Sequence, residues 1–532
     1  MNKFILLFTI LAISFLNIDA QKVNKKKEFK EATRLIGLKD YKSAQKHANR
    51  LYLLEKSNAN FNYLLGLCLL NSDLEKPQSI QHLERASASV TKDYIFEDPS
   101  EKKAPVISVY YLGMAYHYNN EFDKAIETAN KYKSLVSDEA EKQNADQIIS
   151  YCQNAKNFIK DPIDITIENL KGINSEYDEH TPIIAGNEDL MIFTSRRPGS
   201  TGNLIADDGK YFEDIYFSRF ENGSWSAPQK ISKNINTDAH DASVCISPDG
   251  QELFIFRDED GVGNLFHSFY DSTDWTIPKR LESNINTQFR ETHASFTSNT
   301  LYFTSDRKEG SGGKDLYVVK RLPTGEWSLA QNMGETINTP FDEEGPFIHP
   351  DGQTLYFSSK GHNSMGGYDL FFCQLQPDGT WSKPQNLGYP INTTGDDVFY
   401  VLSNDGKRAY YSSIKKEGLG GRDLYMMNLL SLPERSTVVI KGVVRMAGSA
   451  DIPKDITITV TEVKTGVLIG KYRPNSSTGK YTIILRNGRE YKLACEADNC
   501  KFKEEILKVP DDASYFELSK PIYMDPLGII EK

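Results

Sequence analysis

Ile337-Asn338-Thr339-Pro340-Phe341-Asp342-Glu343-Glu344-Gly345-Pro346-Phe347-Ile348-His349-Pro350-Asp351-Gly352-Gln353-Thr354-Leu355-Tyr356-Phe357-Ser358 decides how this chain is read. A short β-type run, a Pro-Asp-Gly turn and an aromatic run are the marks of two strands joined tightly. Its parts recur. Ile-Asn-Ser/Thr stands at 173–175, 235–237, 285–287, 337–339 and 391–393. Pro248-Asp249-Gly250 and Asn404-Asp405-Gly406 repeat the turn. Asp214-Ile215-Tyr216, Asp315-Leu316-Tyr317, Asp369-Leu370-Phe371 and Asp423-Leu424-Tyr425 form a second series, with Asn264-Leu265-Phe266 as its variant. The four Trp of the chain, at 225, 275, 327 and 381, fall once per interval.

A period of about fifty residues with about four strands per repeat predicts a β-propeller over 161–432. Five blades are counted, with six as the alternative. The fifth unit stops after Leu424-Tyr425-Met426-Met427 without a Trp strand. The segment Ile165–Leu170 precedes the first unit and matches the Gln385-Asn386-Leu387 type of segment. It is expected to pair with Asp423–Asn428 and close the ring. These repeats resemble the TolB-like and WD-like propellers of exported bacterial proteins, a resemblance specific to fold rather than to activity.

Residues 21–160 read as helices in three helix-turn-helix units: Gly37 with Asp40-Tyr41-x-x-Ala44, Tyr63-Leu64-Leu65-Gly66, and Leu112-Gly113-x-x-Tyr116 with Glu121-Phe122-x-x-Ala125. They resemble degenerate tetratricopeptide repeats, which implies a groove for partner peptides; a plain helical bundle is the alternative. Residues 433–532 contain Val438–Val444, Ile456–Val460 and Thr478-Gly479-Lys480-Tyr481-Thr482-Ile483, the alternation of a small β-sandwich. This part resembles the carboxypeptidase regulatory-like domain. The order of the three parts resembles the PorE-type envelope proteins of Bacteroidota, associated with type IX secretion. In that family an OmpA-like domain follows, where this sequence has Leu527–Lys532. Direct peptidoglycan binding is therefore not expected.

Among 532 residues, 39% are hydrophobic and 25% charged, which excludes a disordered chain and a polytopic membrane protein. Residues 1–20 read as a signal peptide: Lys3, an apolar run Phe4–Leu16, and Ala20 at the cleavage point. No transmembrane segment is expected after its removal, and the localisation it implies is periplasmic, at or near the outer membrane. Net charge is −11. The middle, 161–432, carries 40 acidic and 23 basic residues, net −17, which argues against nucleic acid or anionic lipid as partner. Among six cysteines, Cys495 and Cys500 are the candidate disulfide, with two unpaired thiols as the alternative.

The candidate binding residues follow each Ile-Asn-Ser/Thr. Aligned by unit, they place Asp178, His240, Glu291, Asp342 and Asp396 in one column. Glu179, Asp241, Thr292, Glu343 and Asp397 fill the next, and His180, Ala242, His293, Glu344 and Val398 the third. On a propeller such columns circle one face. They either attract a basic partner surface or hold Ca²⁺, or they cap backbone N–H groups between blades, the reading given more weight. The Gly-rich hairpins Gly310–Gly313 and Gly418–Gly421 lack the Lys-Ser/Thr and helix of a phosphate loop. No nucleophile elbow, zinc-protease motif or Cys–His setting is found. The expectation is a non-enzymatic scaffold without cofactor or metal, binding envelope or secretion-system proteins. A propeller hydrolase or lyase, or a glycan- or metal-binding protein, is the alternative.

Overall fold

A computed structural model describes residues 24–527 apart from 73–74, 185–187, 207, 260, 272, 323, 416, 430–436 and 511–515. The signal sequence expected at 1–20 lies outside the described residues. The chain divides into two compact units, Met1–Ile149 with Asp207–Gly209, and Ser150–Ala206 with Lys210–Lys532.

The first unit is helical. Helices α1 (Lys25–Gly37) and α2 (Tyr41–Leu54), α3 (Ala59–Leu70) and α4 (Ser79–Ser87), and α5 (Ile107–Tyr118) and α6 (Phe122–Leu135) form three hairpins. Asp40 starts α2 by accepting a hydrogen bond from the Ser43 N–H at 2.9 Å, an N-cap. Gly66 lets α3 and α4 cross closely, since a Cβ there would lie 2.8 Å from Leu83 Cγ. A long helix, α7 (Glu139–Lys160), runs on into the second unit. Among the described residues no helix is long and apolar enough to cross a membrane.

The second unit begins with five antiparallel meander sheets. Their inner strands are Glu179–Ile184, Asp241–Ile246, Glu291–Thr297, Glu343–Ile348 and Asp397–Leu402. These touch in cyclic order, the fifth returning to the first. Strand Thr166–Asn169 pairs antiparallel with Asp423–Asn428, Asn169 opposite Tyr425 and Thr166 opposite Asn428, so chain from before the first sheet supplies the outer strand of the fifth. This removes two open sheet edges. Two of the Trp meet a ring of the preceding sheet: Trp225 meets Tyr410 at 6.3 Å and Trp381 meets Tyr302 at 6.1 Å between ring centroids, both edge-on.

The C-terminal part folds as two sheets around one core. Strand Thr437–Met446 pairs with Lys480–Arg486, Phe516–Ser519 and Ile522–Met524, and strand Thr457–Glu462 with Leu468–Tyr472 and Glu490–Glu496. Val438, Ile440, Ile458, Val460, Ile483 and Leu493 fill the space between them. Of the two readings of Cys495 and Cys500, bridged or unpaired, the structure shows the unpaired one: both thiols are free. Both belong to this core, Cys495 from its strand and Cys500 from an isolated bridge to Pro526, with its Sγ 3.6 Å from Met446 Sδ.

Candidate functional site: the mouth of the central channel

The repeated motif is a structural clip. Each Ile is buried: Ile173, Ile235, Ile285, Ile337 and Ile391. Each following Asn copies a strand's hydrogen-bonding edge. Asn174, Asn236, Asn286, Asn338 and Asn392 accept from the N–H and donate to the C=O of Leu424, Ile215, Leu265, Leu316 and Leu370, at 2.7–3.0 Å. Each Ser or Thr then donates backbone N–H and hydroxyl to the carboxylate four residues on. The pairs are Ser175 to Glu179, Thr237 to Asp241, Thr287 to Glu291, Thr339 to Glu343 and Thr393 to Asp397.

That spacing corrects the sequence alignment of the third unit by one residue. Glu291 belongs with Glu179, Asp241, Glu343 and Asp397, all fully buried, because it bonds Thr287 as they bond their own Ser or Thr. Thr292 therefore joins His180, Ala242, Glu344 and Val398, and His293 moves one place further, beside Thr181, Ser243, Gly345 and Phe399. The five buried acids are clips rather than a face. Arg197, Arg257 and Arg307 pair with Glu179, Asp241 and Glu291 at 3.0, 2.7 and 3.2 Å. In the fourth sheet His362 stands in that place and bonds the Ile337 carbonyl instead. Burial pushes Glu343 up to about 7 and also raises Asp241 and Asp397.

The remaining acids of the first column lie between sheets. Asp178, Asp342 and Asp396 accept the backbone N–H of Arg422, Lys314 and Tyr368 at 2.9, 3.1 and 3.0 Å. Each also meets a cation: Lys210 at 2.7 Å, Lys360 at 2.8 Å and Arg422 at 3.6 Å. Burial opposes the charge of Asp178 and Asp342, but these neighbours hold both carboxyls below their usual range. His240 of the same column packs against Glu213, its Nδ1 3.3 Å from the Glu213 backbone N. The three aspartates are thus each balanced locally, and the net −17 of the region comes from its other carboxylates.

What is left beside the first residues of the inner strands is irregular. The Glu213 carboxylate lies 3.2 Å from His180 Nε2 and 3.3 Å from His240 Nδ1. Burial opposes its charge, yet these two imidazoles hold it well below the usual carboxylate range. Glu344 lies 2.7 Å from Lys314 Nζ and 3.1 Å from His293 Nδ1, and is likewise held well below that range despite burial. Burial lowers His293, so Lys314 carries the cation and His293 is a neutral imidazole beside an ionised carboxylate. Tyr368 is pushed up by burial and by Glu344 and Asp342, which keeps the phenol protonated.

Phe399 sits among these groups. Its ring centroid is 5.9 Å from that of His180 and 4.5 Å from that of His293, and a Cβ on Gly345 would lie 3.0 Å from its Cδ1. One side chain of the fifth sheet thus reaches the first, third and fourth. Its φ of 61°, like the 49° of Thr181, is left-handed. Both belong to β-bulges, where the inner strands shift register against their neighbours, a device that re-aims side chains. Among the described residues no group of three or more His, Cys, Asp or Glu is placed to hold a metal ion.

Glu213, Lys314, Tyr368 and Phe399 were not among the residues expected from the sequence. The first three share a signal: with Gly263 and Arg422 they directly precede the Asp or Asn of each third strand. The Gly-rich hairpins serve close approach. A Cβ on Gly312, Gly366 or Gly420 would lie 2.1, 2.4 or 2.1 Å from a carbonyl oxygen of the next unit.

No family model and no curated relative matches the chain. Solved structures do. TolB from Acinetobacter baumannii aligns at TM-score 0.31 with 13% identity over 47% of this chain, which spans about half of TolB (54%). An α-L-arabinofuranosidase from Lactobacillus brevis aligns at TM-score 0.33, with 14% identity, over 47% of this chain and 90% of that one. The RS223 β-xylosidase aligns at TM-score 0.35, with 12% identity, over 49% and 94%. The expectation of a non-enzymatic protein is corrected: enzymes stand among the matched structures. Similarity at this level assigns no activity.

Proposed function

We propose that this is an exported recognition protein whose five sheets act as the blades of one propeller and read a ligand at the mouth of its channel. In this reading the helical hairpins and the C-terminal sandwich link it to other envelope proteins. One observation carries it. Groups present in every sheet (the Asn clip, its Ser or Thr, the buried acid) serve the sheet, whereas the mouth chemistry differs from sheet to sheet. Glu213 and Glu344, His180 and His293, Tyr368 and Phe399 come from four sheets to one place, and the repeat alone does not call for them. Ionised acceptors and an aromatic floor suit a ligand that offers N–H or O–H donors around an apolar group. The test is capture from an envelope extract by the full chain and by a His180→Ala/His293→Ala variant, with His267→Ala as control. An unchanged set of partners on a folded double variant would sink this reading.

A second reading is catalysis at the same mouth, favoured by the buried, neutral His293, whose Nδ1 lies 3.1 Å from the Glu344 carboxylate, as a candidate general base. Turnover of ester or glycoside substrates that is lost in His293→Ala would establish it.

A further inference from the structure

Beneath Phe399 lies a cavity of ≈ 90 Å³, lined by all five inner strands, with Ile183, Val244, Ala294, Phe347 and Val401 on its wall. Its lining also includes Ile484, which belongs to the C-terminal sandwich. Strand alternation puts it there. Ile483 and Leu485 face the sandwich core, so Ile484 faces the opposite way, and there it is only 3% exposed. Val439, its partner in the paired strand, is buried on the same side.

Three ties seat the sandwich at this end. Arg486 Nε donates to the Asp351 carbonyl at 2.6 Å, the Arg473 N–H to the Asp249 carboxylate at 2.9 Å, and the Thr437 hydroxyl to the Asn404 carbonyl at 2.8 Å. Asp249, Asp351 and Asn404 all stand in turns that follow inner strands. The sandwich therefore stoppers one end of the channel, and Phe399 stands at the other.

Resting on the reading of the mouth as the recognition site, we infer that the channel takes one aliphatic side chain of a peptide ligand. The side chain passes Phe399 and fills the cavity above Ile484, while the peptide N–H groups meet the ionised Glu213 and Glu344. Size selects this occupant. The cavity is several times what one water requires, ~10–15 Å³, and far below the ~300–1,000 Å³ of a site for a drug-sized molecule. Its wall chemistry suits an apolar group, and the acceptors at the mouth suit an amide backbone. The left-handed φ of Phe399, costly for a bulky residue, marks the element that gives way.

Xenon diffused into crystals of the full chain, and calorimetric binding of N-acetyl-leucinamide against N-acetyl-glycinamide, test the inference. Xenon is expected between Val244, Phe347 and Ile484, and the leucine amide is expected to bind at least about tenfold more tightly than the glycine amide. Ile484→Trp, which fills the cavity from the sandwich side, should abolish both signals; Val244→Phe fills it from the propeller wall should the first variant fail to fold. His180→Ala/His293→Ala should weaken the amide and leave xenon in place. An empty cavity under xenon, equal binding of the two amides, or amide binding that survives the filling variants overturns the inference. If the filling variants keep the envelope partners that the His double variant loses, the channel inference falls while the reading of the mouth stands.

Discussion

Asn174 grips Leu424 across 250 residues of sequence, donating to its carbonyl and accepting from its N–H, both at 2.8 Å. The same clip joins neighbouring sheets elsewhere, but here it joins the first unit of the ring to the last. Asn174→Ala leaves the buried Leu424 N–H unpaired, at about 1–3 kcal/mol, while the Leu424 C=O keeps the Leu170 N–H at 3.1 Å. We expect a loss of about 1–3 kcal/mol, similar to Asn338→Ala, in urea unfolding. A loss below about 0.5 kcal/mol at Asn174 alone would mean that the ring is not held there.

Trp327 packs edge-on to Phe296 at 6.0 Å and under the Arg321 guanidinium at 4.5 Å, within a core shared by the second and third sheets. Trp327→Ala should cost about 3–5 kcal/mol. Thermal unfolding of the variant checks this, and a near-neutral result would remove the Trp from the inter-sheet core.

Glu343 gives a pH signature. Burial pushes its carboxyl up to about 7 from a reference of 4.5. Between these values the folded chain holds a proton that the unfolded chain releases, so its contribution to stability is complete below about 4.5 and falls as pH rises through about 7. Glu343→Gln stays neutral throughout. Its stability relative to the parent should therefore rise between pH 5 and pH 8, on the order of 2 kcal/mol. A pH-independent difference in urea midpoints would mean that Glu343 is ionised over the whole range.

Gly420 seats the fifth sheet's hairpin against the Tyr177 carbonyl, where a Cβ would lie 2.1 Å from the oxygen. Gly420→Ala forces the backbones apart and should cost about 2 kcal/mol or more. Gly379→Ala is the control, having nothing within 4 Å of the added carbon but a left-handed φ of 85°. If Gly420→Ala loses no more than this strain-only control in thermal melts, the close approach is not what requires the glycine.

Much of the architecture could be read along the chain because each sheet repeats its own sequence. The strand that completes the fifth sheet was visible because Ile165–Leu170 matches a segment that the last unit lacks, and the structure pairs it with Asp423–Asn428. The role of the Asn in Ile-Asn-Ser/Thr was not visible, since its partner lies about twenty residues back in four cases and 250 residues ahead in the fifth. The one-residue slip in the third unit came from aligning the units on the strand that follows. The four-residue spacing from Thr287 to Glu291 is the geometric rule that such an alignment overlooked.

Sequence by itself determined the repeats, the change from helix to strand near residue 160 and the β-sandwich alternation at the C-terminus, because periodicity and turn chemistry act over a few residues. Only the tertiary structure decided which charges are used up and which gather. Asp178, Asp342 and Asp396 look like a free acidic face until their cations and their neighbours' N–H groups are placed. His180 and His293 become a site only when Phe399, more than a hundred residues further along, comes to lie beside both. Ile484 reaches the channel only because its sandwich docks against the ends of the sheets. Such groups are brought together by ring closure and by one body packing on another, and a local pattern along the chain carries no measure of either.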